Sequence, residues 1–179
     1  MKKILVFGAS NSKQSINHQL ATWAASQIEQ VEIMEVRLYD YEMPLYSIDK
    51  EKEDGFPKLA HDFRTLVLDC DGILVSFAEH NGSFTVAFKN IYDWISRIGR
   101  PIWGDKPMML LSTSPGGRGG ASVLKTAQEI LPHRGVKVSG VFSLPSFNEN
   151  FSNGISDSGL LADFQAQLRI FEEAINSQS

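Results

Sequence analysis

The apolar positions of the chain fall into short runs of two kinds. Ile4-Leu-Val-Phe7, Gly72-Ile-Leu-Val-Ser-Phe77 and Met108-Met-Leu-Leu111 are nearly continuous, the pattern of strands covered on both faces. Val31 to Leu38 and Val136 to Phe142 alternate and are rich in β-branched residues, which predicts two more strands, the first ending near Tyr39. Between these runs apolar residues recur at helical spacing. Leu20, Ala21, Trp23, Ala24 and Ile28 predict an amphipathic helix within 17–30, and further helices follow over Lys58–Leu68, Thr85–Ile98, Ala121–Leu131 and Leu160–Ile175. The stretch from Asp40 to Pro57 holds two prolines, a glycine and the charged run Asp49-Lys-Glu-Lys-Glu-Asp54, and has no sustained period. It reads as a long surface loop, and a second, variable loop runs to Asp157.

Five strands alternating with helices argue for a parallel sheet covered on both faces, and right-handed crossovers leave few topologies. The fold class expected is α/β, a flavodoxin-like three-layer sandwich with a five-stranded parallel sheet in the order 2-1-3-4-5, forming one domain over residues 1–179. In that order ligands bind beyond the carboxyl ends of the strands, at the switch point between the first and third.

Three polar loops meet there. After Phe7, Gly8 and Ala9 end the first strand, and Ser10, Ser12, Lys13, Ser15, Ile16 and Asn17 lead into a helix. Free N–H groups and the positive helix end favour an anion at such a place, although Ser and Asn also cap helices that bind nothing. The third strand empties into Ala78-Glu-His-Asn-Gly-Ser83. The fourth leads to Ser112-Thr-Ser-Pro-Gly-Gly-Arg-Gly-Gly120, with four of the chain's fourteen glycines. A long loop within a compact domain also tends to carry function, which draws attention to Met43-Pro-Leu-Tyr46.

Composition narrows the chemistry. The formal charge is −4 without a basic stripe, so no nucleic-acid partner is expected and any phosphate must be held by local geometry. No apolar run is long enough for a membrane span, and the four-residue run after Lys2 and Lys3 does not form a secretory signal, so a cytoplasmic location is expected. The single Cys70 cannot form an internal disulfide, and its acidic neighbours oppose a thiolate. His18, His61 and His133 lack metal-ligand spacing. Asp69 and Asp71 precede the third strand, at the end of the sheet away from the site, where capping and solvation account for them. Both the dinucleotide fingerprint and the nucleoside triphosphate loop are absent, which points to a single terminal phosphate. Flavin mononucleotide has one, with a ribityl chain and a flat ring that the three loops can address in turn.

On these residues the chain resembles the NADPH-dependent FMN reductase family, flavodoxin-like proteins that include quinone, azo-dye and chromate reductases. Ala9-Ser-Asn-Ser-Lys-Gln-Ser-Ile-Asn17 is similar to the family's G-S-x-R-x-x-S-x-N, matching at Ser10, Ser15 and Asn17, with Ser12 in place of Arg and Lys13 beside it. Ala78-Glu-His-Asn-Gly-Ser83 and Lys89-Asn-Ile-Tyr-Asp-Trp94 resemble P-E-Y-N-G-S and K-N-x-x-D-W, with Ala78 for Pro and His80 for Tyr. Lys106-Pro107, the glycine loop and Met43-Pro-Leu-Tyr46 are also similar. The resemblance implies FMN held at its phosphate by Ser10, Ser12, Lys13, Ser15, Ile16 and Asn17. Glu79, His80, Asn81, Gly82 and Ser83 would lie along the ribityl chain and ring, and Ser114, Pro115, Gly116 and Gly117 behind the ring.

It further implies hydride transfer from NADPH, or NADH, through the flavin to a small-molecule electron acceptor, with no general acid or base among the side chains. A homodimer or homotetramer is implied, with Tyr46 and Trp94 near the partner, and Arg118 could meet the nicotinamide nucleotide's phosphate. The competing readings are a flavodoxin-like electron carrier that does not oxidise nicotinamide, or a regulator that kept the fold. A carrier would be expected to show T-x-T-G-x-T and a strongly acidic face, which this chain lacks.

Overall fold

The first apolar run becomes β1 (Lys2–Ala9), and around it the computed structural model, which describes residues 1–178, builds a parallel sheet. Its other strands are β2 (Val31–Glu35), β3 (Gly72–Phe77), β6 (Lys106–Thr113) and β7 (Val136–Leu144), in the order β2-β1-β3-β6-β7. Counted along the sheet this is the expected 2-1-3-4-5. A small antiparallel hairpin, β4 (Glu79–His80) and β5 (Ser83–Phe84), stands above the carboxyl end of β3.

Alternate residues of β1 divide the core. Ile4 and Val6 pack with α1 (Ile16–Ser26) and α7 (Ser158–Asn176) on one face. Leu5 and Phe7 face α3 (Lys58–Asp69), α4 (Val86–Ile98) and α5 (Ala121–Ile130) on the other. Phe7, Phe63, Phe88 and Trp103 form a chain of edge-on and stacked rings in that second layer.

Gly8 does not end the first strand, which continues to Ala9, and its reason is packing. A Cβ at Gly8 would stand 2.6 Å from the His18 Cα and 2.9 Å from the Asn17 carbonyl carbon, both backbone atoms of α1. Only glycine lets the start of α1 come this close to β1.

The span from Asp40 to Pro57 is not the structureless loop its pattern suggests. A 3₁₀ turn covers Leu38–Tyr41, and α2 covers Ile48–Asp54. No residue of α2 is buried, so it has no apolar period to read; Ser47 caps it, its Oγ accepting from Lys50 N at 3.1 Å, and Asp49 and Glu51 lie in its first turn. The variable loop before Asp157 likewise contains one short helix, α6 (Phe147–Asn150).

Asp71 opposes a Cys70 thiolate as expected, but it is the smaller cause. Cys70 is buried, and burial raises its pKa to about 11. Asp71 lies at the amino end of β3 as expected, where its carboxylate accepts from Lys3 N at 2.8 Å and pairs with Lys2 at 3.5 Å. The Lys3 N–H is the main reason its carboxyl is held below the ordinary value.

Two outcomes follow from these contacts. Gly8→Ala should lower the denaturation midpoint, with a stability loss at or beyond the ~1–3 kcal/mol typical of overpacking, and an unchanged midpoint would mean that α1 yields freely. A carboxyl with a lowered folded pKa contributes stability above its unfolded value and loses it as pH falls through the folded value. Asp71→Asn should therefore flatten the fall of Tm below about pH 4, and parallel Tm–pH curves would contradict this.

Candidate functional site

Side chains, not the loops' own backbones, fix the three carboxyl-end loops to one another. Asn17 is buried at the first turn of α1. Its Oδ1 accepts from the Ser76 hydroxyl at 2.7 Å and from Thr113 N at 3.0 Å, and its Nδ2 donates to Thr113 O at 3.1 Å. One amide thus ties the loop after β1 to the ends of β3 and β6. Thr85 caps α4 by accepting from Phe88 N, and its hydroxyl donates to Ala9 O at 2.8 Å. Glu79 on the hairpin accepts from Val123 N at 3.0 Å, filling an N–H in the first turn of α5. Gly119 O accepts from the hydroxyls of Ser112 and Ser143, which folds the glycine loop back on the sheet.

Between these loops lies a cleft of about 240 Å³. Ser10, Ser12, Gln14, Ser15, Ile16 and Asn17 line one side, Ala78, Glu79 and His80 another, and Thr113, Ser114 and Pro115 the third. Ser15 is the N-cap of α1, its Oγ accepting from His18 N at 3.1 Å. Ser10 Oγ accepts from Ser12 N, and Ser12 Oγ from Gln14 N, so the loop is a run of small turns with hydroxyls along it. The N–H groups of Ile16 and Asn17 open the helix and have no acceptor within it. Beneath them His18 is fixed from both sides, Nδ1 toward Gly8 N at 3.4 Å and Nε2 toward Glu35 Oε1 at 2.8 Å. Gly8 N–H can only donate, so the imidazole proton resides on Nε2.

No lysine or arginine lines this cleft among the described residues. Its capacity for an anion rests on neutral donors: hydroxyls, backbone N–H groups and the α1 dipole. Lys13, expected to stand in for the family's arginine, is exposed and lies over the Tyr39 ring at 5.8 Å.

The structure brings Ser10, Ser12, Ser15, Ile16, Asn17, Glu79, His80, Ser114 and Pro115 together on the cleft wall. It does not bring in Asn81, Gly82 or Ser83. Asn81 and Gly82, both at positive φ, form the tight turn of the hairpin, and Ser83 faces another groove. Gly116 and Gly117 are exposed beyond Pro115, with Gly116 O accepting from Ser146 N. Arg118 is exposed and donates to Ser122. Ser76, Thr85 and Thr113 are the positions that sequence reasoning missed. Their signal is a hydroxyl at or just past the end of an apolar strand, which in a fully buried strand needs a partner.

A second pocket of about 250 Å³ adjoins the cleft at His80 and is walled by Leu38, Tyr41, Met43, Leu45, Val86 and Ala87. The Met43–Tyr46 segment is strapped to α4. Asn90 accepts from Tyr46 N and donates to Met43 O and Pro44 O, and Trp94 Nε1 donates to Pro44 O at 2.8 Å. Trp94 is therefore a core residue, 1% exposed and meeting the Tyr46 ring edge-on, and not the surface contact expected of it. Pro44 and Leu45 are the exposed members of the segment, Leu45 at 61%.

No cluster of three or more metal-ligating side chains occurs among the described residues, and no helix among them is long and apolar enough to cross a membrane.

Comparison with known proteins adds to this geometry. A sequence profile of the family described as NADPH-dependent FMN reductase matches residues 2–149. The chain is 40% identical over 80 residues to a 2-hydroxy-1,4-benzoquinone reductase of a Burkholderia species, a stretch covering 44% of this chain and 43% of that protein. It is 31% identical over 90 residues to a quinone reductase of Escherichia coli K12, covering 50% and 48%. The match thus spans less than half the length of these relatives. Among solved structures, the flavoenzyme NAD(P)H:(acceptor) oxidoreductase FerB from Paracoccus denitrificans shares the fold, with TM-score 0.79, 24% identity and 98% of each chain covered.

The N–H and C=O of Thr113 and the Ser76 hydroxyl all lose their partner in Asn17→Ala. That variant should lose about 2–4 kcal/mol of stability without any ligand, by the cost of buried unsatisfied groups. Equal denaturation midpoints for variant and parent would show that the amide is not the tie between the loops.

Proposed function

The chain belongs to the NADPH-dependent FMN reductase family, and from that premise we propose that it is an FMN-dependent NAD(P)H oxidoreductase acting on quinones and similar small oxidants. The observation that carries this reading is the hydroxyl cradle at the start of α1, joined at one rim to the hairpin and to Ser114-Pro115. Three hydroxyls and the first-turn N–H groups suit a doubly charged phosphate. Apolar and backbone surface at Ala78, Thr113 and Pro115 suits a chain and ring beyond it.

Bound FMN would supply the capacity to accept hydride from a nicotinamide and pass electrons on. The protein binds and orients. Ser10, Ser12 and Ser15 hold the phosphate end, Asn17 keeps the cradle in register with β3 and β6, and Glu79 keeps the hairpin against α5. The adjoining pocket, of mixed apolar and polar lining and shared at His80, receives the oxidant. The names of the relatives, quinone reductases in both cases, support the acceptor class.

The protein is read further as a homodimer or homotetramer. Leu45 and Val86, 61% and 67% exposed on neighbouring walls of the second pocket, are the surface that supports this. Cytoplasmic operation fits a single buried cysteine in a chain without disulfides.

The purified protein should be yellow and, without air, should bleach on NADPH and recover colour on 1,4-benzoquinone. Ser15→Ala should weaken FMN binding about tenfold through the lost hydroxyl, while Ser12→Arg, which adds a cation to a neutral cradle, should tighten it. A colourless protein that binds no added FMN would overturn the flavin site. A yellow one that NADPH and NADH both leave oxidised would overturn the reductase and favour the electron carrier.

A further inference from the structure

Helices α4 and α5 stand apart on the sheet face opposite α1, leaving a trough of about 420 Å³. Phe84, Tyr92 and Ile102 give it apolar surface, and Lys89, Arg100 and Arg134 bring cations to it. Lys89 is paired with Asp93 at 2.7 Å. Arg100 and Arg134 have no carboxylate within ion-pair distance among the described residues. Two unneutralised guanidiniums on the wall of one groove are a marked local excess on a chain of charge −4. Both also line a smaller hollow of about 160 Å³ next to it, with His133 and the carboxylate of Asp105, which is outside ion-pair distance of either.

The trough and the cleft share no lining residue, and the β4–β5 hairpin joins them. Ser83, on its wall, is paired across the hairpin with His80, which lines the cleft. From Ser83 the trough follows α4, whose thirteen residues span about 20 Å, to Arg100 beyond the helix end. A ligand entering the cleft at His80 and lying along α4 would thus have to stay extended over the roughly 20 Å of that helix to bring its other end to the two arginines.

We propose that this trough holds the adenosine end of NADPH, with Arg100 and Arg134 gripping its 2′-phosphate and so setting preference for NADPH over NADH. The inference rests on the reading of the cleft as a flavin site. Arginine suits the task because its planar fork binds phosphate oxygens in pairs, and an arginine near the adenosine ribose is the usual device for accommodating a 2′-phosphate. The nearly buried Tyr92 and Ile102 floor the trough beneath the base, half-buried Phe84 adds apolar wall, and the hydroxyl oxygens of Ser96 and Thr126 can accept from the ribose.

The test titrates adenosine 2′,5′-bisphosphate into FMN-loaded protein by calorimetry, with 5′-AMP and inorganic phosphate as controls, for the parent and for Arg100→Gln/Arg134→Gln. The bisphosphate should bind the parent about tenfold or more tighter than 5′-AMP and lose that advantage in the double variant. In anaerobic flavin reduction the variant's apparent Kd for NADPH should rise by a similar factor. Its value for NADH, its flavin spectrum and its Tm should stay unchanged, all three arguing against a folding defect. Bisphosphate and 5′-AMP binding alike, equal affinity in both proteins, or displacement by inorganic phosphate at the same concentration would each overturn the proposal. If neither coenzyme reduces the flavin but the arginines still select the 2′-phosphate, the reductase reading fails and the nucleotide site stands. If NADPH reduces the flavin and the arginines select nothing, only the nucleotide site fails.

Discussion

One buried amide, that of Asn17, holds the functional end of this molecule together. Three strands that are remote in sequence end in loops that turn locally but do not hydrogen-bond to one another through their own backbones. What gives them common geometry is a side chain that satisfies a hydroxyl on β3 and both the N–H and the C=O of a residue on β6. The amide can be there only because Gly8 lets the first turn of α1 lie directly on β1. The same contact that aligns the loops therefore aims the open N–H groups of the helix into the cleft. Packing and anion affinity are set by one close approach between backbones.

What could be read from the sequence follows from what produces a pattern. Buried strands are apolar throughout, and helices that cover a sheet repeat every three or four residues, so five strands, their order and the main helices were all legible. So were the cleft residues Ser10, Ser15, His80 and Ser114, because polar residues just past an apolar run have few other reasons to be there. Helix α2 was illegible because it buries nothing and is held by its cap and its charges. The ties made by Thr85, Ser76 and Thr113 were legible only by half: a hydroxyl near a strand end announces that it needs a partner, but which partner it finds is fixed by tertiary register alone. Trp94 shows the limit of motif reasoning, since a tryptophan on an amphipathic helix fits a surface or a core equally well until the Met43–Tyr46 strap is seen covering it.

The distribution of charge separates two tasks that a nucleotide enzyme must perform. At the cleft the anion partners are neutral and fixed, which limits the cost of their own desolvation and keeps the site competent whatever the ionic strength. Lys13, nearest in sequence, is drawn away to Tyr39. Unpaired guanidiniums appear instead on the open α4–α5 face, where a partner can arrive and leave. Strong retention near the sheet and exchangeable recognition at the edge suit a resident group and a visiting one.

The strap of Met43 to Tyr46 contributes to the wall of the second pocket, and helix α2 behind it buries none of its own residues. Glu51 joins Tyr46 Oη to the Arg97 guanidinium, Asn90 and Trp94 bind the strap's backbone, and Gly55 at positive φ closes the helix. A segment held by a handful of polar contacts opens at a free energy far below that of the core, as a cooperative unit of its own. Loss of the strap's polar contacts would thus leave untouched the ties that Asn17, Thr85 and Glu79 make around the cleft. The second pocket and the cleft are then held by two independent sets of contacts.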